Sequence, residues 1–218
     1  MRRFPFRGGF LPSSHRPAAG FTLLELLVVI VLLGVATDLG MVMFSKMSDA
    51  WKRTTVLTDL DARATDAFNE MRQDFAEVVS SKISGVALSG KVRTAQDDRF
   101  FMMPLEDDQV AIPVDLPTGT NGLTQRATVR YQVEREKGRH VLMRATELPG
   151  NVSNNLKVAD GVLGIRFEYL GREPGSTWEK GWSKPVMPGA VRVSLTLMDP
   201  DRYYEQASRK AVFSIHVD

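Results

Sequence analysis

Phe21-Thr-Leu-Leu-Glu-Leu-Leu-Val-Val-Ile-Val-Leu-Leu-Gly-Val-Ala36 is the stretch on which the reading of this chain turns. It holds one ionisable side chain, Glu25, and reads as a helix that is apolar on every side. Past Thr37 and Asp38 the apolar character resumes through Leu39, Met41, Val42, Met43 and Phe44. At about 1.5 Å per residue, 21–44 is long enough to cross a hydrocarbon core of roughly 30 Å. Arg2, Arg3, Arg7 and Arg16 lie before it, and no acid occurs in the first twenty residues. Positive charge on that flank holds the N-terminus in the cytoplasm and sends the remainder across the membrane.

Three readings compete for this segment. A secretory signal would be cut after a small-residue stretch, for which Gly34-Val35-Ala36 is a weak candidate. The second reading is an uncleaved anchor. Neither accounts for Glu25, because a lone carboxylate in lipid costs on the order of 3 kcal/mol on insertion scales.

The third reading gives the carboxylate a partner. Gly20-Phe21-Thr22-Leu23-Leu24-Glu25 followed by an apolar helix resembles the processing site of type IV prepilins and type II secretion pseudopilins. The resemblance implies cleavage by a prepilin peptidase after Gly20 and N-methylation of the new amino group on Phe21. It also implies a docking role for Glu25, set close to the Phe21 amine of a neighbouring subunit. Removing one member of a buried ion pair typically costs about 3–5 kcal/mol, so such a pair selects a correctly staggered neighbour. The twenty-residue leader, with Pro5, Pro12 and Pro17, is longer than the leaders common among pseudopilins.

Composition bounds the rest. A chain of 218 residues, 43% hydrophobic and 25% charged, is long enough for one sizeable core. With no cysteine, disulfides, thiol nucleophiles and thiolate metal sites are excluded, and His15, His140 and His216 are too scattered to form a ligand set. The net charge of +2 depends on the leader, since without its four arginines 24 basic residues face 26 acidic ones. Overall charge therefore gives no case for nucleic-acid binding.

From Asp49 to about Ser81 there is no proline, and Leu57, Leu60, Ala64, Ala67, Met71, Phe75 and Val78 recur at spacings of three and four. This predicts an amphipathic helix over 45–81, its apolar stripe on a sheet. Asp59, Asp61, Arg63, Asp66, Glu70, Arg72, Asp74 and Glu77 are assigned to its polar remainder. Joined to 21–44 it makes one helix of roughly sixty residues, about 90 Å at 1.5 Å per residue.

Two-residue alternation then takes over. Segments 128–133 and 140–144 flank a polar connection ending at Gly138 and read as a β-hairpin. Further strands are expected over 164–170, 190–197 and 211–217, with shorter ones at 82–92 and 98–104. Val191, Val193, Leu195 and Leu197, then Ala211, Phe213, Ile215 and Val217, form inward rows, predicting a one-sided antiparallel sheet. The Pro- and Gly-rich stretches 113–122 and 171–189 are expected as loops.

The fold class is therefore α+β, a long N-terminal helix packed on antiparallel sheet, which resembles the pilin architecture. Its order of elements is similar to that of the J-type minor pseudopilin of the general secretion pathway. The similarity runs through Met71-Arg-Gln-Asp-Phe75, the hairpin, Val162-Leu-Gly-Ile-Arg-Phe-Glu-Tyr169, a loop with Trp178 and Trp182, and Pro188-Gly-Ala-Val-Arg-Val-Ser-Leu195. The expected organisation is a leader 1–20, a transmembrane and filament-core helix 21–44, an amphipathic helix 45–81 and a β-rich domain 82–218.

Candidate chemistry is sparse. Asp97-Asp98, Glu106-Asp107-Asp108 and Asp199-Pro-Asp201 supply the oxygen ligands Ca²⁺ favours, but without EF-hand spacing they read as solvated turns. The serines lack G-x-S-x-G context, and there is no Walker A or dinucleotide motif. No enzyme, cofactor or metal site is expected. Trp178 and Trp182, beside Lys180 and Lys184, are candidate interface anchors or a cap folded onto the sheet. Arg202, Tyr203 and Tyr204 are a weaker version of the same idea.

The resemblance implies a single-pass inner-membrane protein with a periplasmic domain, working near the tip of a type II secretion pseudopilus. Its partners would be the prepilin peptidase, I-like and K-like minor pseudopilins and the major pseudopilin. A minor pilin of a type IV pilus or competence system, and a membrane-anchored extracytoplasmic binding module, remain alternatives.

Overall fold

The computed structural model describes residues 20–79, 88–95, 105–118, 123–150, 152–199 and 202–216. The chain divides into two units, Met1–Ala50 and Trp51–Asp218. One helix, α1 (Leu23–Ala76), contributes to both.

In the first unit, α1 has no interior proline, and its side chains from Leu23 to Phe44 are exposed. Thr37 satisfies its hydroxyl without water by donating to the Leu33 carbonyl at 2.8 Å. The helix is long and apolar enough to cross a membrane.

In the second unit α1 lies on antiparallel strands. One sheet has the order β1 (Ser89–Lys91), β4 (Gln109–Thr118), β5 (Leu123–Glu136), β6 (Arg139–Leu148) and β7 (Val152–Asp160). The other has the order β11 (Arg202–Ser214), β10 (Ala190–Asp199), β8 (Val162–Leu170) and β9 (Trp178–Glu179). A small pair joins β2 (Thr94–Ala95) and β3 (Leu105–Glu106). The architecture is thus α+β as expected, but with two main sheets rather than one.

The helical stripe packs on both. Leu60, Ala64, Ala67, Met71 and Phe75 are buried, and Leu57 is half-buried. Phe75 stacks on Phe213 of β11 with ring centroids 5.1 Å apart. Val191, Val193, Leu195 and Leu197 all point into the core, as do Phe213 and Ile215, while Ala211 is half-buried. Val217 lies outside the described residues.

Several boundaries differ from expectation. The helix ends at Ala76, not Ser81: Val78 bridges Val114, and the Val79 amide donates to the Pro113 carbonyl at 3.0 Å. A pair of β-branched residues is better accommodated beside a strand than in a last helical turn. The 113–122 segment is not a loop as far as Thr118, because β4 runs through Pro113 and Pro117. Pro113 is tolerated because its polar groups face away from β5, toward Val79, so the missing N–H costs no rung of that ladder.

The hairpin ladder runs on to Glu136↔Arg139. Its two-residue turn, Lys137-Gly138, has φ of +47° and +80°, the left-handed pair that matches strand twist. Strand β7 lies in a stretch to which the sequence assigns no element, and its Ser153-Asn-Asn155 has turn composition. Of the expected strand 82–92 only 88–92 is described, and within it β1 takes up Ser89–Lys91; 98–104 lies outside the described residues. The 171–189 segment is a loop apart from the two residues of β9.

Asp74 corrects the polar-face assignment. It is 1% exposed, because Arg144 of β6 and Tyr131 of β5 reach it from the sheet beneath.

Candidate functional site: the N-terminal junction

Gly20 and Phe21 precede the helix and are exposed, Phe21 at 76%. Thr22 is the N-cap: its hydroxyl accepts the Glu25 amide at 3.3 Å, and its carbonyl accepts the Leu26 amide at 3.2 Å. Glu25 is therefore the third helical residue, in the Thr-x-x-Glu spacing of a capping box and beside the positive end of the helix dipole. In the sequence Thr22 stands out only as part of the junction; its Thr-x-x-Glu spacing is the signal that marks it as a cap. The arrangement presents Phe21, just ahead of a helix start, with the Glu25 carboxylate within the first turn.

The other singled-out residues are scattered. Trp182 is not an exposed anchor: it is 2% exposed, packs on Tyr169 with centroids 6.1 Å apart, and donates its indole N–H to the Val186 carbonyl at 2.8 Å. The loop folds back because that pair of contacts buries a large ring and satisfies its polar atom. Trp178 is half-buried, with the Arg192 guanidinium 4.3 Å from its ring centroid. The side chains of Arg202, Tyr203 and Tyr204 lie outside the described residues.

Asp107 and Asp108 are not solvated turn residues, being 6% and 4% exposed. The Asp108 carboxylate accepts the Arg93 amide at 3.2 Å and the Phe167 amide at 3.1 Å, fastening the end of β3 to β8. Burial pushes both carboxyls above their ordinary range, against the pull of Arg93 on Asp107 and of the two amides on Asp108. His140 lines a half-open cleft of about 160 Å³ with Glu106, Asp107 and Glu134. His216 is exposed, and His15 and Asp97-Asp98 lie outside the described residues. Among the described residues no group of three or more His, Cys, Asp or Glu side chains is placed to hold a metal ion.

The fold and this junction define an α+β protein headed by a membrane-length helix capped by Thr22, with Glu25 in its first turn. Residues 15–37 match the family model of the prokaryotic N-terminal methylation motif. The match supports a type IV pilin-like or pseudopilin-type protein, processed by a prepilin peptidase and joined to a membrane-associated pilin assembly. With the apolar helix it fits a single-pass inner-membrane anchor. No curated protein matches the chain.

Proposed function

We propose that this chain is a structural minor pseudopilin of the J type, working near the tip of a type II secretion pseudopilus. Prepilin peptidase cuts after Gly20, Phe21 becomes the N-methylated terminus, and Glu25 docks the helix against its neighbour in the filament. The domain beyond the membrane helix faces the periplasm and meets I-like and K-like minor pseudopilins and the major pseudopilin. Its work is assembly rather than turnover, without cofactor or nucleic acid.

The observation that carries the reading is the methylation motif on the capped first turn of an exposed apolar helix. The order of the β5–β6 hairpin, β8, the tryptophan loop, β10 and β11 supports the J-type assignment.

The test is the mass and N-terminal residue of the membrane-extracted protein, produced with and without a prepilin peptidase. N-methyl-Phe21 that depends on the peptidase is expected. A retained Met1, or a cut near Ala36, would remove the filament reading. Recovery with type II secretion subunits rather than pilus subunits then decides the machine.

A further inference from the structure

The edges of the two main sheets are treated unequally. The outer side of β1 is closed by the loop after β9, with Gly90 N donating to Trp182 O at 2.9 Å and Trp182 N to Gly90 O at 3.1 Å. Beyond β9, the side of β8 is occupied by the residues after β3, where Asp108 N donates to Ile165 O at 3.1 Å. Strand β11 is an outer strand, but it carries Arg209 and Lys210, and Arg209 pairs with Asp61 of the helix. Cationic side chains of this kind blunt an edge.

Strand β7 has no proline, and from Ser153 to Leu156 it has neither charge nor bulge; Lys157, whose ammonium is held by Asp160 and Glu136, and the register shift come only at the far end of this run. Its register with β6 is unbroken from Leu148↔Val152 to Met143↔Lys157, and shifts only beyond, between Leu142 and Met143. The direction of its backbone groups follows from Pro113, whose carbonyl faces Val79 and therefore away from β5. Polar groups alternate sides along a strand. Carried through Pro113↔Thr128, Thr128↔Glu147 and Thr146↔Asn154, this turns Asn154 and Leu156 toward β6. Ser153, Asn155 and Lys157 then point their amides and carbonyls outward, where no partner meets them among the described residues. Leu156, opposite Arg144, is 46% exposed and offers an apolar side chain on the face that meets the helix.

We propose that the outer edge of β7 receives a β-strand donated by a different subunit of the pilin-type assembly. That strand would alternate apolar and polar side chains, apolar on the Leu156 face. The proposal rests on the assembly reading above and names one of its contacts. A few ladder bonds hold a freely diffusing peptide weakly. They suit a partner already held nearby by its own membrane helix, where effective concentration replaces intrinsic affinity.

The test is amide hydrogen exchange on the full-length chain, alone in detergent and co-assembled in membranes with the peptidase and partner subunits. The Ser153, Asn155 and Lys157 amides should exchange fast in the lone chain and at least about tenfold slower in the assembly, since pairing protects an amide until it opens. Asn155→Pro removes an outward N–H and spares the β6 ladder, so slow exchange at Asn154 and Leu156 would report that β7 remains folded. Asn155→Lys adds a charge guard without touching the backbone. Both variants should be processed after Gly20 normally, lose the tenfold protection and recover less partner. Outward amides that are slow in the lone chain, or equally fast in the assembly, would overturn the proposal, as would protection arising from this chain alone at high concentration. A retained leader or an unpartnered parent chain would mark failure of the assembly reading itself, and this contact would fall with it.

Discussion

Arg144 grips Asp74 through both carboxylate oxygens, Nη2 to Oδ1 at 2.6 Å and Nε to Oδ2 at 2.7 Å, at the junction of helix and sheet. The side chains are 15% and 2% exposed, and the Tyr131 hydroxyl completes the group by donating to Asp74. Burial and the adjacent carboxylate push the Tyr131 hydroxyl far above its ordinary range, so it stays a donor. Asp74→Ala would strip the largely buried guanidinium of its bidentate partner, leaving it Glu70 at 3.5 Å and Thr146 at 2.9 Å, at a cost of about 3 kcal/mol. Adding Arg144→Met should recover part of the loss. Urea unfolding of the two single variants and the double variant measures the coupling, and additive losses would mean the pair does not act as a unit.

Asp107 and Glu168 should move stability with pH in opposite directions. Burial raises the folded Asp107 carboxyl above 3.8, so the native state binds the proton more tightly and stability falls as pH rises through that window. Asp107→Asn should therefore stabilise the chain near neutral pH, with the gain shrinking as pH falls toward about 4. The Arg192 hydrogen bond lowers the Glu168 carboxyl below 4.5, giving stability that is present above that value and lost as pH falls through the lowered one. Glu168→Gln should cost stability near neutral pH and nothing in strong acid. Urea midpoints across the acid range check both signs.

Gly90 carries no side chain because the Tyr169 ring occupies that space: a Cβ there would overlap its hydroxyl and Cζ. Tyr169 is fully buried, so it has little room to retreat, and Gly90→Ala should cost about 1–3 kcal/mol by overpacking. The Tyr169 hydroxyl has no hydrogen-bond partner among the described residues. Tyr169→Phe should accordingly be neutral or stabilising, and should relieve part of the Gly90→Ala penalty. Thermal midpoints of the four chains decide it.

The two loop tryptophans should separate. Trp182→Ala empties a core position and removes the hydrogen bond to the Val186 carbonyl, an expected loss of about 3–5 kcal/mol. Trp178→Ala removes a half-buried ring under Arg192 and should cost less than that. If Trp178 contacts another subunit, its variant should fold normally yet recover less partner from membranes. Unchanged recovery would assign it to sheet packing alone.

Glu25→Ala should leave cleavage after Gly20 largely intact while impairing incorporation into the assembly. Thr22 still supplies the cap, so the helix start should persist. Normal co-purification of the Glu25→Ala chain with its partners would count against the docking role.

The sequence by itself determined those features that rest on local period and covalent order. An apolar run long enough to span a membrane, a glycine, phenylalanine and glutamate in fixed register, and the Leu60 to Phe75 stripe are written in neighbouring residues. The inward rows of β10 and β11 were legible for the same reason, since a period of two needs no distant partner. Tertiary structure alone decided what depends on who lies opposite. Asp74 reads as a surface acid until Arg144, seventy residues on, is brought beneath it. Pro113 reads as a loop residue until its polar groups are found facing away from β5, and Trp182 reads equally as an interface anchor or a cap folded onto the sheet until its ring is seen on Tyr169. Ser153-Asn-Asn155 of β7 has turn composition and is held extended by the ladder that β6 supplies. Burial and pairing are properties of the partner as much as of the residue, and long-range partners leave no periodic trace in the chain.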